Sequence, residues 1–391
     1  MMLSVPQARR LLSGLVAALL LVGPGRARAS APAEAAEPAA PAAPAAAEVR
    51  PIEELDIQSL LDLAVVTASG GKAQTQSLAA ANITVITRDE IAVQGWRSLA
   101  EVLSNVPGLY VIRDEVVPSL GVRGVTGGLR AGTRLVKVMI NGVEVNFRPD
   151  LTAFLGPEYI PMEAVQRIEV AKGPLSAIYG ANAFLAVVNV ITRDQLNGNG
   201  EVALRGNAVR TNAGYGTSGI VGHGNADRGF LVAFGSDHFN RSGLRIEQTF
   251  PGQNPTLSRN RIFFADQSRG NVASPSSLFT QGRYTTGKAG RFSLQGGLQT
   301  LDAMGDFQLN SITTHQSRYG LLNLWGSLQH EYQLTDRVQT TVRLGASRGT
   351  PTRDERLFVN GSSSDFFERK FNATTYDGVA RVAWTPFDRL S

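Results

Sequence analysis

"KGPLSAIYGANAFLAVVNVITR", residues 172–193, is the stretch whose reading decides the fold. A lysine, Gly173-Pro174 and Tyr179-Gly180-Ala181-Asn182-Ala183 stand before a solid apolar run. A glycine-rich loop beside a strand has two readings: a phosphate cradle, or a turn that delivers a buried strand. A Walker-type cradle needs the order Gly-x4-Gly-Lys-Ser/Thr at the opening of a helix. Here Lys172 precedes the loop, and Ile191-Thr192-Arg193 closes a strand. The glycines are therefore read as positions of positive φ and close backbone approach, with no nucleotide site.

The residues upstream of this stretch read as a mixed domain. "NITVIT" (82–87) reads as a strand that ends at Thr87, which forms a capping-box signature with Glu90 for a short helix stopping near Gly95. Ser98 and Glu101 repeat that spacing. The helix they open puts Leu99, Val102, Leu103 and Val106 on one face, and Pro107-Gly108 ends it. "LYVI" and "GVRGV" read as strands. "RLVKVMI" and "VEVN" flank Asn141-Gly142, the residue pair that a type I′ hairpin turn demands. "RIEVA" (167–171) and "AVVNVIT" (186–192) add two more strands.

Downstream of Asn197 the texture changes. Helical periodicity disappears, and runs of about ten residues alternate apolar with polar. In "RFSLQGGLQT", Phe292, Leu294 and Leu298 oppose Arg291, Ser293, Gln295 and Gln299. In "LLNLWGSLQHEYQL", Leu322, Leu324, Leu328, Tyr332 and Leu334 oppose Asn323, Ser327, Gln329, Glu331 and Gln333. Two-faced strands suit a soluble sandwich or a membrane barrel alike. Tight turns at 226–229, 288–290, 335–336 and 387–390 alternate with long polar connections at 241–276, 303–318 and 348–374. Short turns on one side and long loops on the other favour the barrel, with about eight strands, a polar interior and an aromatic girdle.

The N-terminus bears on compartment. Arg9-Arg10, the apolar run 11–23 and Ala27-Arg28-Ala29 read as a secretory signal peptide over 1–29. An Ala/Pro-rich spacer follows over 30–59 and cannot bury a core. The chain contains no cysteine, which excludes disulfides and thiolate chemistry. Its net charge of +5 comes from scattered arginines, with only 5 lysines, so no nucleic-acid face is inferred. His223, His238, His315 and His330 lie apart, without metal-type spacing, and no nucleophile–base arrangement stands out. The sequence predicts no enzyme and no cofactor.

Read in order, "NITVITRDEI", "SLAEVLSNVPGLYV", "GVRG", "VKVMINGVEVN" and "MEAVQRIEVAKGPLSAIYGANAFLAVVNVITR" resemble the plug domain of TonB-dependent outer-membrane receptors. The resemblance implies a TonB box and mixed α/β plug over 60–195, then the first strands of an antiparallel transmembrane β-barrel over 196–391. The family's barrels have about 22 strands. About eight cannot surround a plug of about 130 residues, whose radius of gyration is about 14 Å, so the sequence is expected to be part of a longer frame.

The same resemblance implies roles for individual residues. Asp62, Leu63, Ala64, Val65, Val66, Thr67 and Ala68 resemble the TonB box. Arg123 matches the first of two plug arginines that pair with barrel glutamates in the family. The second position is Lys172, which keeps the charge without the bidentate fork. Phe147, Arg148 and Tyr159, on plug loops, are candidate ligand contacts. The implied activity is import of a scarce solute, first an iron–siderophore complex, by a monomer in the outer membrane of a Gram-negative bacterium. Its implied partners are TonB, the inner-membrane complex that energises TonB, and outer-membrane lipid. Cobalamin, haem or glycan are alternative solutes; a TonB-linked signal transducer and a passive porin are alternative functions.

Overall fold

The computed structural model describes residues 82–113, 118–126, 134–147, 152–194, 200–209, 212–225, 227–240, 272–287, 289–309, 312–352, 355–358, 366–368 and 370–384, with the short pieces 64–65, 74–75, 149, 196 and 198. The signal peptide and spacer lie outside the described residues, as do Asp62, Leu63, Val66, Thr67, Ala68, Arg148 and the turn at 387–390.

Two short strands come first: β1 (Ala64–Val65) pairs antiparallel with β2 (Gln74–Thr75). An N-terminal domain follows. Its elements are β3 (Asn82–Thr87), α1 (Arg88–Gln94), α2 (Leu99–Leu103), β4 (Leu109–Arg113), β5 (Pro118–Val122), β6 (Val136–Ile140), β7 (Val143–Glu144), β8 (Val165–Lys172), α3 (Ser176–Tyr179) and β9 (Ala186–Thr192). The central sheet runs β3-β8-β9-β6-β7; β6 and β9 are parallel and the other pairs antiparallel. β4 and β5 form a separate hairpin.

Local chemistry accounts for these boundaries. The Thr87 hydroxyl accepts from the Glu90 backbone N–H at 3.3 Å, and the Glu90 carboxylate accepts from the Thr87 N–H at 2.6 Å. Gly95, at φ +67°, ends the helix in the left-handed conformation. At the second helix Ser98 caps the Glu101 N–H, while the Glu101 carboxylate takes the N–H of Arg97 in place of that of Ser98. "GVRGV" is a strand only as far as Val122, because Arg123 and Gly124 turn the chain at φ +49° and +84°. Asn141 and Gly142, at +47° and +76°, make the expected hairpin turn.

The opening stretch finds its explanation in the sheet's two faces. Val188 and Val190 of β9 join Ile86, Ile168, Val170, Leu99, Val102 and Leu103 in the main core. Val187 points the other way, into a cluster with Ile83, Met139, Ala171, Leu175 and Ala183. A strand buried on both faces reads as an unbroken apolar run, and the loop 173–185 is the cover over its second face. The loop's N–H groups are consumed internally. Gly173 donates to Leu185 O, Leu175 to Ala183 O, and Gly180 to Ser176 O. None of these three is free to hold a phosphate.

The second part is an antiparallel sheet of β10 (Gly200–Val209), β11 (Asn212–Gly224), β12 (Arg228–Asn240), β13 (Val272–Ala273), β14 (Ser276–Thr286), β15 (Gly290–Leu309), β16 (Ile312–Thr335), β17 (Val338–Pro351) and β20 (Ala373–Trp384). β18 (Leu357–Phe358) and β19 (Phe366–Phe367) form a small ribbon in the connection before β20. β13 and β14 both lie between β12 and β15, so they act as one strand interrupted at Ser274-Pro275. The wall thus has eight strand positions, as the alternation predicts. Among the described residues β10 and β20 each pair on one side only.

Two expectations are corrected. Residues 303–318, read as a long loop, are mostly strand: β15 runs to Leu309 and β16 starts at Ile312. Polar residues such as Asp302, Gln308 and Thr313 are accommodated in a hairpin extended by ladder pairing, with a register shift between Gly305 and Phe307. The inward face is also less polar than expected. Leu204, Phe230, Tyr284, Leu294, Leu328, Leu344 and Trp384 are exposed on the outside, but Ile220, Leu231, Ala233, Phe279 and Trp325 turn inward into the main core. The alternation gives the faces; only the fold shows that the inner one meets a packed domain.

The helix α2 anchors that domain, since Leu103 is fully buried within the core. Leu103→Ala is expected to destabilise the N-terminal domain by about 2–5 kcal/mol. Thermal unfolding of the detergent-solubilised protein checks it, with Val93→Ala on the exposed face of α1 expected to be near neutral.

Candidate functional site

The functional geometry of the described residues lies where the N-terminal domain meets the wall. Three segments of the domain reach it: the β6–β7 turn, the 146–163 connection, and the ends of β3 and β9.

At the β6–β7 turn, the left-handed conformation aims the Asn141 side chain away from its own hairpin. Its Nδ2 donates to Thr192 Oγ1 at 2.8 Å, to Gln295 Oε1 at 2.9 Å and to Gln281 Oε1 at 3.2 Å. Its Oδ1 accepts from the Thr192 N–H at 2.9 Å. Next to it, Gly142 N–H donates to Asn189 Oδ1 at 2.9 Å and Gly142 O accepts from Arg343 Nη1 at 2.7 Å. One two-residue turn is therefore tied to β9 and to wall strands β14, β15 and β17.

The second contact is a row of wall side chains that hold backbone carbonyls. Ser277 Oγ donates to Pro157 O at 2.9 Å and Gln299 Nε2 to Tyr159 O at 2.7 Å. Asn323 Nδ2 donates to Asn146 O at 3.3 Å and to Gln299 Oε1 at 2.9 Å. Beneath this row Phe147 meets Phe154 edge-on at 5.6 Å and packs against Leu301, Ala303 and Leu321 of the wall.

The third contact is ionic. Arg88 and Arg193 both reach Glu201 of β10, at 2.8 and 2.7 Å. With the opposite polarity, Glu163 faces Arg205 of β10 at 3.4 Å, and Arg205 in turn clasps Asp237 of β12 at 3.1 Å. Ser218 of β11 accepts from Arg205 at 2.6 Å and donates to Glu163. A cavity of about 30 Å³ lies beside this cluster, lined by Trp96, Arg97, Pro157, Met162, Arg205 and Asp237 among others. It is large enough for about one or two waters.

Glu158 lies in the same joint. It is 3% exposed, and Oε1 accepts from the Gly156 N–H at 2.9 Å. Burial, and after it the nearby Asp237 charge, push its carboxyl up to about 7 against the opposing pull of backbone N–H groups.

The residues singled out from sequence fall in different places. Arg123 is exposed, and Lys172 Nζ donates to Pro107 O at 3.0 Å. The two cations lie close enough that Arg123, after burial, lowers the Lys172 pKa. Among the described residues no ion pair joins either to the wall. Ala64 and Val65 lie in β1; Arg148 lies outside the described residues. Phe147 and Tyr159, chosen as ligand contacts, are 1% and 3% exposed. In this arrangement they are packing residues of the joint and shape the loops without presenting surface. Among the described residues the Tyr159 hydroxyl has no hydrogen-bond partner, and burial raises its pKa well above the usual value. No three His, Asp or Glu side chains among the described residues converge as a metal centre requires.

Sequence reasoning missed Asn141, Glu163, Glu201, Arg205, Asp237, Gln281 and Arg343 as contact residues. A signal was available for some. Glu201 and Arg205 share the inward face of β10, with outward Val202 and Leu204 lying between them, an alternation visible in the sequence. Their partners are more than 30 positions away for Arg205–Asp237 and more than 100 for Arg88–Glu201, beyond any local pattern.

Residues 75–187 match the family described as TonB-dependent Receptor Plug Domain. The chain is 31% identical over 149 residues to the iron-regulated outer membrane virulence protein of Vibrio cholerae serotype O1, covering 37% of this chain and 22% of that one. It is 34% identical over 143 residues to the vitamin B12 transporter BtuB of Photobacterium profundum, covering 35% and 22%. Among solved structures, the siderophore receptor PirA from Acinetobacter baumannii superposes with a TM-score of 0.53 at 12% identity, over 77% of this chain and 44% of that one. A ferric enterobactin receptor (PfeA) mutant from Pseudomonas aeruginosa gives 0.54 at 15% identity, over 77% and 46%. These two superpositions establish the fold: a plug domain followed by strands of a partial barrel. The match to the two curated relatives spans under a quarter of their length.

The hairpin turn gives a sharp test. Asn141→Asp keeps a residue that tolerates positive φ but turns a donor amide into a carboxylate facing two glutamine oxygens. It is expected to weaken the joint by about 1–3 kcal/mol at neutral pH, and by less below the carboxylate's pKa. Hydrogen exchange of residues 136–144 measures it, with Asn141→Gly, which removes the amide without adding charge, expected to fall between.

Proposed function

The chain carries the plug domain of a TonB-dependent receptor with adjoining wall strands, and on that premise we propose that it gates solute uptake across the outer membrane of a Gram-negative bacterium. The observation that carries this reading is the seating of the domain on the wall's inner face. That face presents Gln281, Gln295, Gln299 and Asn323 to the domain, while Leu204, Leu294, Leu328 and Leu344 point outward. Apolar outside and polar inside is what a lipid-embedded cylinder with a stoppered lumen requires.

In this reading a solute arriving from outside settles against the loops of the plug and wall. An iron–siderophore complex is the first candidate, supported by the name of the Vibrio cholerae relative; the vitamin B12 transporter keeps cobalamin as the alternative. TonB, energised by its inner-membrane complex, then takes hold of residues 62–68 by strand addition. Ala64 and Val65 already lie in an extended pair with Gln74 and Thr75. Among the described residues this ladder is two residues long, and exchanging it for a longer one with TonB has little to overcome. Arg123 and Lys172, both beside Pro107-Gly108, are assigned to a lock against wall carboxylates.

Strand addition fails where a proline removes a backbone donor. Cells expressing the full-length receptor with Val65→Pro, or lacking residues 62–68, are expected to lose uptake of iron-radiolabelled siderophores or of radiolabelled cobalamin. Binding to chilled cells should remain. Uptake at the wild-type level in either variant contradicts the proposal.

A further inference from the structure

We propose that Glu158 is a proton-operated latch: while its carboxyl carries a proton the 156–159 loop stays seated on the wall, and when it ionises that loop loosens. The proposal requires only the contact between plug and wall, and holds for any solute.

The geometry carries it. Gly156-Pro157-Glu158 folds tightly enough that the carboxyl reaches back to the Gly156 N–H, and a Cβ on Gly156 would meet the Glu158 carboxyl oxygens. The residues on either side are the two that the wall grips, Pro157 through Ser277 and Tyr159 through Gln299. Glu158 is thus clamped between two wall contacts and shut away from solvent, and any change in its charge is felt at both. The charge Glu158 feels is that of Asp237 of β12, and Asp237 belongs to a cluster with Arg205 of β10 and Glu163 of the short helical turn Met162–Ala164, with Arg97 ahead of α2 lining the same cavity. Arg205 is committed to Asp237 and Glu163, with Ser218 as a third partner. A negative charge on Glu158 is therefore opposed by the Asp237 carboxylate. A water-sized cavity lies against the adjacent Pro157.

The seated loop binds this proton more tightly than an open, solvated loop would. Its carboxyl stands at about 7, against 4.5 for the free side chain. Seating is therefore strongest below the free value and declines as pH rises through about 7.

Hydrogen exchange of the full-length receptor in lipid nanodiscs reads the loop directly, once rates are corrected for the intrinsic pH dependence of amide exchange. Protection of 156–160 is expected to fall roughly tenfold to thirtyfold between about pH 5.5 and about pH 8.5, with β9 unchanged. In Glu158→Gln, protection should be high and flat with pH. In Asp237→Asn, removal of the facing charge should move the wild-type transition to lower pH. Wild-type protection that does not vary with pH, or the same slope in Glu158→Gln, overturns the proposal. So does an Asp237→Asn loop that is looser by the same factor at every pH, which would mark a structural contact and nothing more.

Discussion

Every wall strand between Gly200 and Trp384 has to satisfy two environments at once, and that requirement shapes the rest of the molecule. The backbone pairs along the sheet, so the side chains alone distinguish inside from outside. Outside they are mainly leucines, phenylalanines and tyrosines; inside, glutamines, asparagines, serines and a few charges share the face with Ile220, Leu231, Phe279 and Trp325. The inner row would be costly to bury against anything but hydrogen-bonding partners. The N-terminal domain supplies them as loop carbonyls, from Asn146, Pro157 and Tyr159, and as the side-chain amide of a hairpin turn at Asn141. Loops carry unpaired backbone groups by nature, and here those groups are met by side chains of the wall.

This joint is mixed in character, which bears on how it could open. Apolar packing of Phe279, Trp325 and Leu301 with the domain favours a permanent seat. The hydrogen bonds and ion pairs add direction, and each is worth little net when water can replace the partner. Arg88, Arg193 and Glu201 are partly exposed, so their contribution is modest. Arg205, Asp237 and Glu163 are more enclosed, and breaking one member there would strand the others. A joint built this way can release its ionic and hydrogen-bonded edges while the apolar patches keep the domain in place.

Much of the fold was legible because local rules and tertiary context agreed. Thr87 with Glu90, Gly95, and Asn141-Gly142 each specify one backbone outcome, and the structure adopts it. β9 was legible as an apolar run, although its cause, a cover formed by 173–185, was not. The failures have physical reasons. The 303–318 hairpin looked like a loop because its sequence is rich in polar residues without clear alternation, and strand pairing overrode that pattern. Arg123 looked like strand but turns the chain at positive φ. Phe147 and Tyr159 were read as candidate ligand contacts on loops; a sequence cannot reveal that wall residues 140 or more positions away, Gln299 and Leu301, meet them. The polar strand faces were readable, whereas their pairing with Asn141, Glu163 or Arg88 depended on contacts that no spacing encodes.

The central claim is that the N-terminal domain sits against the inner face of the wall, and the absence of cysteine from the chain makes it directly testable. Cysteines placed at Pro161 and Gly235, where a Cβ on Gly235 would lie 3.8 Å from that of Pro161, should cross-link under mild oxidation in isolated membranes. A pair at Pro161 and Phe234, one residue along and on the opposite face, should not. Efficient linking through 234, or none through 235 in folded protein, would contradict the account.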